Sequence, residues 1–304
     1  MAVEIALGQA GWLAPGRFRW ARALAWLCVL AVVCILAFNV AADASLRLSA
    51  MVCGEVFTSR ANAPPGARLI AVIIGSIAML TTYALTVGFV ERRKIPELGL
   101  RRLLPDLACG LALGGLLIVT IIGLMWGAGW VTIVATPTTQ IAKSLKQSVQ
   151  SGVIEEVLMR IIIFRLLWRA AGVFPALIAT ALLFSGLHLS NPDATVFSAF
   201  CLLAGEGIGA GLYLLTGRVW MSIGMHAGWN FAQGWLFGGA VSGLDVFAGG
   251  PLQTRPADGI AAILSGGGFG PESSLAALLV SLLASAIFLG VAWKRGRFVM
   301  AADR

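Results

Sequence analysis

The sequence predicts an all-α fold, a polytopic integral membrane helical bundle of about eight spans. Three observations carry that expectation. The chain is 59% hydrophobic and 12% charged, against roughly 45 to 50% apolar residues in soluble domains. Its mean hydropathy is +0.89. Its apolar residues fall in runs near the roughly 20 residues needed to cross a bilayer as a helix.

The spans read in order are 21 to 42, 69 to 90, 105 to 130, 151 to 168, 173 to 190, 195 to 215, 219 to 239 and 273 to 293. The first lies behind Arg17, Arg19 and Arg22 and is long enough to stay as a helix instead of being cleaved as a signal peptide. The segment 43 to 67, with Pro64-Pro65-Gly66, and the Gly/Pro-rich segment 241 to 272 read as extramembrane loops. The triplet Gly266-Gly267-Gly268 lacks the lysine and the spacing of a phosphate loop. The organisation follows as 1 to 150 for spans one to three, 151 to 240 for the core spans four to seven, and 241 to 304 for the loop and last helix. No internal repeat of 20 to 50 residues is visible.

The formal net charge of +8 does not point to nucleic acid, because the basic residues collect at helix ends. Arg17, Arg19 and Arg22 precede span one, Arg92, Arg93, Lys94, Arg101 and Arg102 separate spans two and three, and Lys294, Arg295 and Arg297 follow span eight. With an even number of spans, all three clusters and both termini are expected in the cytoplasm. Arg165, Arg169 and Arg218 fit this arrangement, whereas Lys143 and Lys146 would lie outside. The five cysteines, Cys28, Cys34, Cys53, Cys109 and Cys201, have no metal spacing and read as small buried hydrophobes.

Ionisable groups inside apolar spans are expensive and mark sites. Glu155-Glu156, His188 and His226 are such groups, and the two histidines are the only ones in the chain. On a helix, Glu156 and Arg160 share a face and form a pair, while Glu155 is turned by about 140° from Arg160 and is left for a cavity. An unpaired carboxylate there suits a general base acting on water. Phe184 and His188 are again four apart, as are His226 and Asn230, two donors able to meet one developing oxyanion. Trp229 and Trp235 are expected against lipid or neighbouring helices. In span six, Gly205/Gly209 and Gly207/Gly211 offer small-residue faces for close helix packing, and Glu206 between them is expected to be paired inside the bundle beside the site. Counting 1.5 Å per residue from Arg169, Phe174 and Arg218, Glu155 and His188 lie roughly 21 Å deep, His226 about 12 Å and Asn230 about 18 Å.

Glu-Glu-x-x-x-Arg, Phe-x-x-x-His and His-x-x-x-Asn, in this order in separate apolar spans, resemble the CAAX protease and bacteriocin-processing (CPBP) family of intramembrane proteases. The stretch 216 to 231 also resembles bacterial members, and the likeness covers 151 to 239. It implies an integral protein of a bacterial inner membrane, acting as an endopeptidase on a peptide bond near a membrane anchor. Glu155 with His188 would activate water, His226 and Asn230 would stabilise the oxyanion, and Glu156 and Arg160 would hold span four. Met159 stands where many members carry an aromatic residue, a difference of packing.

Zinc enters because many members have been labelled metalloproteases. Glu155, His188 and His226 would just supply three ligands, but this would leave only Asn230 for the oxyanion, so a mechanism without cofactor or metal is favoured. The expected partners are the lipid bilayer and a membrane-associated peptide or protein. The alternatives are a zinc-dependent protease, a non-catalytic membrane scaffold or an immunity protein. A transporter, which also uses intramembrane acids, is disfavoured by the lack of repeated halves.

Overall fold

A computed structural model describes residues 4–54, 57 and 60–298. The helices are α1 (Arg19–Cys53), α2 (Pro65–Thr86), α3 (Leu103–Gly127), α4 (Ile141–Glu156), α5 (Arg165–Ala171), α6 (Val173–Leu187), α7 (Val196–Thr216), α8 (Trp220–Phe231), the single turn α9 (Ala262–Ser265) and α10 (Leu275–Lys294). The expected helical membrane bundle is what forms.

Each of the eight expected spans falls largely on helix, but among the described residues six helices are long and apolar enough to cross a membrane: Arg19–Cys53, Pro65–Glu91, Pro96–Gly127, Val173–Ser190, Val196–Thr216 and Leu275–Lys294. The expected fourth and seventh spans differ for physical reasons. α4 starts at Ile141, ten residues before the expected boundary, and its first turns carry Lys143, Lys146, Gln147 and Gln150. α8 is a 12-residue helix extended only by a π turn. Both are interior helices: α8 packs against α3 on one side and α4 on the other, and α2 also lies against α4. A helix wrapped by protein does not need the uniformly apolar surface of one that faces lipid.

Backbone contact explains the α3–α8 crossing. A Cβ added to Gly110 or Gly114 would lie 2.3 or 2.0 Å from the carbonyl oxygens of Met221 and Met225, and one added to Gly224 or Gly228 would lie 2.4 Å from those of Leu107 and Leu111. Glycines four apart on both helices bring the backbones together. His226 falls midway between Gly224 and Gly228, about 200° around the helix from each, so the close packing aims it away from α3 and toward α4. Of the glycines in α7, Gly207 and Gly211 receive α10, while Gly209 faces the Arg160 guanidinium.

The rod from α4 to α5 passes through a π-helical stretch, Val157–Phe164, immediately after Glu155-Glu156, and another π turn, Ala232–Leu236, follows α8 just beyond Asn230. Such insertions rotate the side chains that follow, and they recur at functional sites.

Several loop expectations are corrected. α1 continues to Cys53 and ends on Gly54 in the left-handed region (φ +66°), so the connection expected from residue 43 begins only there. The segment 241 to 272 is not plain loop: β2 (Leu252–Pro256) pairs antiparallel with β1 (Val131–Ala135), in the register Val131 to Pro256. Cys34 and Cys201 are buried, but Cys28 and Cys109 are exposed, since the outer face of a spanning helix has the bilayer as its neighbour, and Cys53 is exposed at the end of α1.

Arg165, Arg169 and Arg218 are not loose charges at helix ends. Arg165 is fully buried and grips Glu91 through two hydrogen bonds of 2.7 and 2.8 Å. Arg169 donates to the carbonyls of Gly8 and Leu13, and Arg218 pairs with Asp106 at 2.6 Å.

Candidate active site

Glu155, Glu156, Phe184, His188, Glu206, His226 and Asn230 line one cavity of about 520 Å³, between α4, α6, α7 and α8. Its remaining wall mixes polar groups such as Gln147 and Gln150 with apolar ones, among them Ile154, Leu158, Leu187 and Leu202. The segment after α8 closes one side through Val241, Ser242, Leu244 and Phe247.

A buried ionic chain holds one flank. The Arg160 guanidinium donates to Glu156 at 2.7 and 3.3 Å and to Glu206 at 2.5 and 2.8 Å. All three side chains are at most 2% exposed. The i,i+4 pair read from the sequence therefore exists, and Glu206 is paired inside the bundle as expected. Only the tertiary structure shows that both carboxylates share one guanidinium. Gly209 makes the arrangement possible, because a Cβ there would sit 2.6 Å from Arg160 Nη2.

Glu156 also does something that the sequence reading did not assign to it. It accepts a hydrogen bond of 3.0 Å from His226 Nδ1. This contact fixes the ring so that Nε2 faces Glu155, 3.6 Å from its Oε2. Glu155 is the member of the acidic pair turned to the cavity, with a side chain 30% exposed. Its Oε2 is nevertheless buried and has no hydrogen-bond partner among the described residues. A buried carboxylate oxygen without a donor is costly unless it serves chemistry.

His188 lies where α6 gives way to a 3-10 turn, and its Nδ1 donates to the Phe184 carbonyl at 2.8 Å, which leaves Nε2 for the cavity. The Phe184 ring touches both histidines, with centroids 4.4 Å from His188 and 6.3 Å from His226. Phe184 is thus the apolar spacer between them. Asn230, 5% exposed, donates from Nδ2 to Ser151 Oγ at 2.8 Å. A carboxamide carries two N–H groups, so one remains for another acceptor.

Residues missed at the sequence level complete the lining. Ser151 stands one turn before Glu155 on the same face, a spacing that could have flagged it. Glu272 carried no signal, because it comes from the segment before α10: it accepts from Trp229 Nε1 at 3.1 Å and from Ser242 N and Oγ at 2.7 Å. Trp229 therefore lines the cavity and anchors its closing segment, and of the two expected surroundings it packs against neighbouring helices. Among the described residues, no group of three His, Cys, Asp or Glu side chains is disposed to hold a metal ion.

No curated protein and no solved structure matches the chain. Residues 137–232 do match a family model, described as type II CAAX prenyl endopeptidase Rce1-like. That stretch starts just before α4 and ends with α8, so it contains every side chain of the ionic chain, both histidines and Asn230. Six helices long and apolar enough to cross a membrane among the described residues mark an integral, multi-pass membrane protein, and over residues 137–232 it is similar to the Rce1-like CAAX protease (CPBP) family.

Proposed function

We propose that the chain is an intramembrane endopeptidase that hydrolyses a peptide bond near a membrane anchor, with Glu155 as the base that activates water. The observation that supports this most directly is the orphaned, buried Oε2 of Glu155, 3.6 Å from His226 Nε2 in a cavity also lined by His188 and Asn230. Glu156 is occupied by Arg160 and His226, which leaves Glu155 as the available carboxylate.

In the proposed reaction, Glu155, assisted by His188 Nε2, takes a proton from water as the oxygen attacks the peptide carbonyl carbon. The oxyanion accepts hydrogen bonds from His226 Nε2–H and from the free Nδ2–H of Asn230. Glu156 and Glu206 share one guanidinium while Glu155 lies beside His226, and a proton on His226 reduces the negative charge gathered here while supplying the donor. Collapse breaks the C–N bond, and the proton held by Glu155 passes to the leaving amine. No metal takes part in this scheme, and both termini lie in the cytoplasm.

The test is turnover of membrane-anchored peptides by purified protein in lipid. Glu155→Gln is expected to lower the rate by about a hundredfold to ten-thousandfold, the usual contribution of a positioned base. Wild-type protein that binds such peptides through Asn230 yet releases no product would identify a scaffold instead. Activity should also survive a strong chelator, and a loss restored by zinc alone would recast His188 and His226 as ligands.

A further inference from the structure

Lys143 and Lys146 are expected on the outer side, against the charge bias of the loops, and the proposed reaction does not use them. In the fold they meet Arg68. The three line a separate small cavity of about 100 Å³ with Pro65, Gln147 and Val246. Two helices begin here, α2 at Pro65 and α4 at Ile141, which places Arg68 in the second turn of one and Lys143 and Lys146 in the first two turns of the other. A helix N-terminus already carries positive partial charge, so cations there repel both the dipole and one another. Among the described residues none of the three is in an ion pair with a carboxylate, whereas the next cation, Arg60, is paired with Asp43 at 2.6 Å. Desolvation by burial, then the charges of Arg68 and Arg60, pull the Lys146 ammonium below the usual lysine range. Concentrated positive charge at two helix starts, in a partly buried pocket, is the arrangement that binds an oxyanion.

The depth of the pocket and its walls select the ligand. Arg68 lies at the start of Pro65–Glu91, a stretch long and apolar enough to cross a membrane, and the end of such a stretch meets the lipid headgroups. Gln147 lines both this pocket and the larger cavity, and its Oε1 is held by Lys146 Nζ, so it forms a wall between them. An anion bound here is therefore outside the chamber that takes the scissile peptide. We infer that Arg68, Lys143 and Lys146 form a binding site for the headgroup phosphate of an anionic phospholipid, which rests against the N-terminal end of the helix that carries Glu155. This site is independent of the proteolytic reading.

The experiment uses the full chain in vesicles of phosphatidylcholine alone or with added phosphatidylglycerol, scoring the lipid retained by native mass spectrometry and the shift in Tm. Wild type is expected to retain phosphatidylglycerol and to melt higher in its presence. The Lys143→Gln/Lys146→Gln double variant should bind it about thirtyfold more weakly, the factor for about 2 kcal/mol from two cations near an anionic headgroup. Arg68→Gln alone, the fallback if the double variant does not fold, should lose about fivefold. Arg47→Gln removes an exposed cation of α1 outside the pocket and should bind as wild type does. Equal retention by wild type and both pocket variants would overturn the site. A Tm shift of the same size from inorganic phosphate in phosphatidylcholine vesicles would overturn the lipid as its source.

Discussion

At the residue scale, the acidic pair divides its work by helical phase. Glu156 and Arg160 are four apart and meet, whereas Glu155 points elsewhere, and the tertiary structure adds Glu206 and His226 to the first of these groups. Arg160→Ala would leave two buried carboxylates on α4 and α7 without the guanidinium they share. Breaking a buried pair costs about 3 to 5 kcal/mol, so a fall in thermal stability of that order is expected, while Glu155→Gln should melt close to wild type. Equal stability of the two variants would contradict the division. Asn230 belongs to the other flank. Asn230→Ala should leave peptide affinity nearly unchanged and slow cleavage about a hundredfold to a thousandfold, as for loss of one oxyanion donor. Weaker binding with an unaltered rate constant would point to a ground-state contact instead.

At the element scale, the determining feature is the approach of α3 and α8. Their glycines place each backbone where a Cβ would overlap the other's carbonyls, and this approach turns His226 toward α4. Gly228→Val would place its Cβ 2.4 Å from Leu111 O, and overpacking of this kind costs typically about 1 to 3 kcal/mol. The expected signature is a lower Tm with activity falling alongside it, although residue 228 does not line the cavity. Gly115→Val on the lipid-facing side of α3, where added atoms meet open space, is the control and should behave as wild type. If both valines are equally tolerated, the crossing does not position His226.

At the scale of the whole molecule, a second buried ionic knot ties the N-terminal helices to the rod that carries the acidic pair. Glu91, at the end of the α2 extension, accepts from Arg165, from Arg93 and from Trp26 of α1. Glu97 accepts from Arg93 and from the Tyr83 hydroxyl. Glu91→Ala would strand Arg165 and should destabilise the fold by about 3 to 5 kcal/mol, checked by thermal unfolding in lipid. Orientation is decided at the same scale. α1 runs 35 residues from the basic cluster at Arg19 to the exposed Cys53, about 52 Å of helix and more than the hydrocarbon core is thick. The proposed orientation, with the N-terminus cytoplasmic, predicts that a membrane-impermeant thiol reagent labels Cys53 on intact cells and leaves a Cys53→Ser variant unlabelled. Labelling of Cys53 only after permeabilisation would reverse the orientation.

The spans and the candidate residues were legible in the sequence because both rest on local rules: hydropathy over about 20 residues marks the bundle, and side chains four apart share a helix face. Those rules reach along one helix and stop there. They yielded Glu156 beside Arg160 and His226 above Asn230, but not the contact of His226 with Glu156, which joins residues 70 apart in sequence. They read eight spans where six helices among the described residues are long and apolar enough to cross a membrane, since whether α4 and α8 meet lipid or protein depends on which helices surround them. Glu272, Ser151 and the pairing of β1 with β2 were hidden for the same reason: each acquires its role from a partner brought up by the fold. Local chemistry determined what each helix carries, and long-range packing, through the α3 and α8 glycines and the Arg160 and Glu91 ion clusters, decided which of those groups share one cavity.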